Sequence, residues 1–115
     1  MGNFAEDIEQ AAGEEIIGIV VGPFGWGSWG EEGYLEDEIV RVKIPWEKRG
    51  VVLTWQEARP LLDYDYDAGF GAVECHAIVA WTENRVIFVG EYDGATTVHS
   101  LPRHPSPCRP YMPGG

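Results

Sequence analysis

Residues 75–101 read CHAIVAWTENRVIFVGEYDGATTVHSL. Three runs rich in β-branched and aromatic side chains are separated first by Thr82, Glu83 and Asn84, then by Asp93 and Gly94. Asp-Gly between two such runs is a strong hairpin signal, because both residue types tolerate the positive φ that a two-residue connection needs. The stretch predicts three antiparallel strands in sequence, a β-meander. Beyond Leu101 the chain ends in PRHPSPCRPYMPGG, which holds five of the eight prolines. Proline cannot donate to a sheet ladder, so residues 102–115 are expected to form an extended arm that is ordered only where it docks.

Toward the N-terminus, residues 63–74 (DYDYDAGFGAVE) form a turn-rich connection. Before it, Thr54 and Glu57 have the spacing of a capping box, in which each side chain satisfies a free backbone donor of the other at a helix start. The helix runs about two turns and is expected to end near Leu62 or Asp63, because Pro60 removes a donor and crowds the preceding turn. Lys48, Arg49 and Gly50 form a turn ahead of a short strand at residues 51–53. In residues 38–45 (EIVRVKIP), Val40, Val42 and Ile44 share one face while Ile39, Arg41 and Lys43 share the other, the pattern of a half-buried strand stopped by Pro45. Residues 22–38 carry glycines at 22, 25, 27, 30 and 33 and read as a long loop studded with aromatic rings. Residues 14–21 (EEIIGIVV) are apolar on both faces, as in a strand covered on two sides. At the start, Asn3 suits a helix N-cap, Glu6, Asp7 and Glu9 suit the positive end of the helix dipole, and Gly13 suits its stop. The expected class is α+β: a mainly antiparallel, strongly bent sheet of about five strands with one or two short helices. Residues 1–101 form one domain and 102–115 the proline-rich arm.

The whole chain has 115 residues, 44% hydrophobic and 23% charged, which fits one globular domain. Nineteen acids against eight bases give a net charge of −11. Two of the bases, Arg103 and Arg109, lie in the arm, so six remain against 19 acids on residues 1–101, a net −13. Direct binding to a phosphate backbone is disfavoured at such a charge. No run approaches the roughly 18 to 20 apolar residues that span a bilayer, and the acidic start MGNFAEDIEQ is unlike a signal peptide, so a cytoplasmic protein is expected. Cys75 and Cys108 allow at most one bridge and are read as free thiols.

Glu31, Glu32, Glu36, Asp37 and Glu38 fall within eight positions, directly after Trp26 and Trp29. Such a cluster would steer a basic partner, and the two tryptophans would supply contacts that charge alone does not. The expected function is therefore non-enzymatic: an acidic interaction protein that engages a basic, nucleic-acid-binding protein. In size and charge it resembles the nucleic-acid-mimicking inhibitors with which phages and mobile elements counter host defence. Solubility alone is the plainer use of an acidic surface.

Other readings compete. Asp63, Asp65, Asp67 and Glu74 occupy positions 1, 3, 5 and 12 of a twelve-residue window after a helix, which resembles an EF-hand calcium loop. Ala68 stands where that loop has glycine, and Phe70 where it has an aliphatic residue. The glycine loop with Trp26 and Trp29 could instead stack a planar ligand such as a nucleotide. Cys75, His76, His99, His104 and Cys108 lack zinc-finger spacing, and adjacent Cys75 and His76 would point to opposite faces of a strand. No nucleophile elbow, P-loop or dinucleotide-binding glycine motif is present, so no catalytic residues and no cofactor apart from the calcium reading are expected.

Overall fold

The computed structural model describes residues 2–25, 43–69, 71 and 73–112. The chain is α+β, with two antiparallel sheets among the described residues. The order is β1 (Gly2–Asn3), α1 (Phe4–Ala12), β2 (Gly18–Phe24), a 3₁₀ turn (Trp46–Lys48), α2 (Trp55–Leu62), β3 (Asp65–Tyr66), β4 (His76–Trp81), β5 (Arg85–Tyr92) and β6 (Ala95–Pro102). The larger sheet has the order β2-β4-β5-β6 and the smaller pairs β1 with β3. Neither is strongly curled, which corrects the expected strong bend.

The meander forms as read. Tyr92 faces Ala95 across the second turn, where Asp93 (φ 51°) and Gly94 (φ 85°) both take positive φ. At the first turn the Thr82 N–H donates to the Arg85 carbonyl at 3.0 Å. The Glu14 carboxylate accepts from the Thr82 hydroxyl, from the Asn84 N–H at 2.9 Å and from the Asn84 amide at 3.1 Å. These bonds, that from Thr82 first, hold the Glu14 carboxyl below its ordinary range. They also explain why the strand expected over 14–21 begins only at Gly18: its first acid is committed to a distant turn. β2 then continues through Gly22 and Pro23 to Phe24, with an irregularity between Val21 and Phe24.

The expected strand at 51–53 is a single antiparallel bridge, Leu53 to Ile19. Of the strand expected over 38–45, residues 38–42 lie outside the described residues, and Ile44 is buried. Asn3 caps α1 by accepting from the Glu6 N–H at 3.0 Å, and Gly13 closes it at φ 68°. Helix α1 lies across β5 and β6, helix α2 against β2. Phe4, Ile8 and Ala12, spaced by four residues, bury one stripe of α1. Ile78, Ala80 and Ile87 meet it from the sheet. The arm docks at two points: Arg103 donates to the carbonyls of Thr82 and Asn84, and the Tyr111 hydroxyl lies 3.1 Å from Nδ1 of His99. Among the described residues no helix is long and apolar enough to cross a membrane.

The capping box is complete: the Thr54 hydroxyl accepts from the Glu57 N–H at 3.1 Å, and the Glu57 carboxylate accepts from the Thr54 N–H at 3.3 Å. Thr54→Ala is expected to cost about 1 kcal/mol, read as a lower urea midpoint at constant slope. An unchanged midpoint would show that α2 is held by packing alone.

Candidate functional site

The pairing of β1 with β3 builds this site. Gly2 faces Tyr66 and Asn3 faces Asp65, and the Phe4 N–H donates to the Tyr64 carbonyl at 2.9 Å. This contact brings the first turn of α1 against residues some sixty positions later. Tyr66 is buried, its ring edge-on to Phe4 at 5.2 Å, and its hydroxyl donates to Oδ2 of Asp7 at 2.7 Å. Burial first, then the bond to Asp7, pushes the Tyr66 phenol up from its ordinary value. A Cβ on Gly2 would sit 2.9 Å from Asp7 Oδ2, so a larger residue there would push that carboxylate aside.

Asp7 and Tyr66 stand at a cavity of about 320 Å³, lined also by Gln10 and Ala11 of α1, by Ala68, and by Thr96, Thr97 and Val98 of β6. The Thr96 N–H donates to the Ala68 carbonyl at 2.8 Å, which ties β6 to the loop after β3. The Thr96 hydroxyl is buried and has no partner among the described residues. The volume falls within the range of small-ligand pockets, of the order of 300–1,000 Å³. Its polar groups are a carboxylate, a phenol, an amide and hydroxyls, a set that accepts hydrogen bonds from a cation with an apolar stem.

Further carboxylates surround this end. Asp63 accepts from the Asn3 amide at 2.8 Å and lies 3.5 Å from Arg59. Asp65 and Asp67 are exposed. Glu74 accepts from the Asp67 N–H at 3.2 Å. Glu91 faces Thr96 across the β5–β6 ladder, and Gly94 beside Asp93 approaches Gly71 of the same loop. Arg59 also binds Glu9 at 3.1 Å, and that bond, with one from the Trp55 indole, holds the Glu9 carboxyl below its ordinary range. Asp7, Asp65 and Asp67 have no ion pair among the described residues.

The residues named from sequence divide three ways. Trp26, Trp29, Glu31, Glu32, Glu36, Asp37 and Glu38 lie outside the described residues. The calcium set Asp63, Asp65, Asp67 and Glu74 is described but not gathered into one shell. Asp63 is held by Asn3 and Arg59, Asp65 is locked in β3, and Asp67 turns back to accept from the Gly69 N–H at 2.9 Å. Extended β3 and β4 stand where an EF-hand loop and its exit helix would be. No group of three or more His, Cys, Asp or Glu suited to a metal occurs among the described residues. Cys75 and His76 are both buried, and burial pushes the Cys75 thiol up to about 12, away from thiolate chemistry. Asp7, Tyr66 and Thr96 were not singled out from sequence. Asp7 read as a helix-dipole acid, and nothing local announces the distant ribbon that pairs it with Tyr66. No family model, curated protein or solved structure matches the chain.

Proposed function

We propose that this protein is a non-enzymatic acidic interaction protein that docks on a basic surface of a nucleic-acid-binding protein and competes there with nucleic acid. In its most concrete form it is an inhibitor of the anti-defence type, acting in the cytoplasm. The observation that carries the reading is the Asp7 carboxylate, pinned by Tyr66 at the 320 Å³ cavity, with Asp65 and Asp67 on either side of Tyr66 in sequence and without an ion pair among the described residues. A lysine or arginine side chain of the partner fits that chemistry: its apolar stem packs on Ala11 and Val98 while its charge meets Asp7. Exposed acids around the cavity raise the encounter rate, and the desolvated contact at Asp7 slows release. In this reading Trp26, Trp29, Glu31, Glu32, Glu36, Asp37 and Glu38 also contact the partner.

Affinity capture from a cell lysate at low and high salt, read by mass spectrometry, identifies the partner. The double variant Asp65→Lys, Asp67→Lys is expected to slow association with it about tenfold and to flatten its salt dependence. Asp7→Asn is expected mainly to speed dissociation. Capture of no basic protein, or an unchanged association rate for the double variant, would overturn the reading.

A further inference from the structure

The two faces of the larger sheet have different surroundings. Ile78 and Ala80 of β4 and Ile87 of β5 join the core with α1. The alternate residues point away from that core and line up in two rows across all four strands. Gly18, Trp81, Val86 and Leu101 are cross-strand partners in one row, and Val20, Val79, Phe88 and His99 in the next. A Cβ on Gly18 would lie 3.3 Å from Val52 and 4.0 Å from the Trp81 ring, so Val52 and Trp81 share this outer side. The Phe88 and His99 rings stack at 5.2 Å, and Tyr111 of the arm stacks on His99 in turn.

Val52, Val79 and Leu101 are exposed on this face. An antiparallel sheet with one face in the core commonly turns polar residues to water on the other, but these rows are apolar. Although the chain carries a net charge of −11, none of these positions holds a carboxylate, a lysine or an arginine. A basic partner therefore has nothing to pair with here, whereas a second copy of the chain meets no opposing charge. Size also favours a second copy. A two-fold axis lying in the interface, parallel to the strands and between β4 and β5, lays β6 of one copy over β2 of the other. Leu101 then faces Gly18, Trp81 faces Val86, Phe88 faces Val79 and His99 faces Val20. Every pair sets a larger side chain against a smaller one, which is how two packed layers interdigitate. A hollow of about 90 Å³, lined by Val20, Gly22, Ala77, Ile78 and Val79, leaves further room on the β2 side.

We propose that two copies of this chain pack outer face to outer face through these rows, as an isologous dimer. Four strands about 4.8 Å apart and about six residues long give a footprint of roughly 400 Å² per copy. That is the weak end of specific interfaces, so the dissociation constant falls at tens to hundreds of micromolar. Helix α1, which carries Asp7, lies on the opposite side of the sheet, so the dimer leaves the Asp7 cavity open and does not depend on the partner proposed above.

Sedimentation equilibrium of the full chain up to about 1 mM tests this. The acids of the two copies repel, so the dimer is expected to tighten at least threefold between about 0.05 and 0.5 M sodium chloride, the reverse of the salt response of a basic partner. Val79→Glu places a charge on an exposed position and is expected to weaken the dimer at least tenfold. Leu101→Ala, which removes the side chain facing Gly18, is expected to weaken it about fivefold. Amide spectra establish that each variant is folded, and in the wild type dilution is expected to shift the signals of Val20, Val79, Phe88 and Leu101 while leaving those of α1 unchanged. A monomer at 1 mM, whether the face is bare or covered by another part of the chain, would overturn the proposal. So would a dimer that loosens with salt, dilution shifts confined to α1, or wild-type association in folded Val79→Glu.

Discussion

Phe4→Ala is expected to lower the unfolding free energy by about 3–5 kcal/mol, the range for truncating a fully buried phenylalanine. Phe4 is wholly buried, with its ring stacked on Tyr64 at 5.5 Å and edge-on to Tyr66 at 5.2 Å. It is the first residue of α1, and its N–H ties the helix to the Tyr64 carbonyl. The ring thus joins α1 to the segment between α2 and β3, and two tyrosines committed to other bonds cannot collapse into the space it would leave. Tyr66 is fixed to Asp7 and Tyr64 to His76. A domain of this kind has about 5–15 kcal/mol in all, so the loss would leave a marginal fold. The measurement is the urea midpoint at constant slope. Phe4→Leu, which retains most of the volume, should cost well under half as much. A loss under about 1 kcal/mol for the alanine variant would mean that the tyrosines repack, and the Asp7 cavity would then change shape as well.

How far the fold was legible follows from the range of the interactions involved. The α1 cap at Asn3, the Thr54 and Glu57 box and the Asp93-Gly94 hairpin are all set within four residues, and each forms as its local chemistry dictates. Errors arise where a side chain answers to a remote partner. Glu14 was read into a strand because its neighbours are β-branched, but its carboxylate serves Thr82 and Asn84, nearly seventy residues on. Asp65 and Asp67 read as alternating calcium ligands, but Asp65 pairs with Asn3 in the β1–β3 ribbon while Asp67, just beyond it, accepts from the Gly69 N–H. The buried tyrosine between them, Tyr66, is the residue that the pairing of β3 with β1 delivers to Asp7. Periodicity shows that one face is buried without showing what covers it, so the site at Asp7 became visible only once the ribbon was in place.

Acidification is the second large perturbation, and His76 sets its direction. Burial lowers its pKa to about 4 from an ordinary 6.5, so the folded protein keeps the ring neutral at pH values where the unfolded chain takes up a proton. Below pH 6.5 the unfolded state therefore binds one proton more, and stability from this group falls by about 1.4 kcal/mol per pH unit until the folded ring also titrates near pH 4. The loss approaches 2 kcal/mol by pH 5 and about 3 kcal/mol by pH 4. Glu9 and Glu14, with carboxyls held low, keep their contributions through this window and lose them only below their ordinary value of 4.5. Partial relief of repulsion among the many acids works in the opposite sense, so the wild-type slope alone does not isolate the histidine. The decisive quantity is the difference between wild type and His76→Phe. Urea midpoints from pH 7.5 to 4.5 should fall more steeply with acid in the wild type, with the two curves converging toward low pH. Parallel curves would mean that His76 titrates alike in the folded and unfolded chains, and the neutral ring that holds Tyr64 would lose its physical basis.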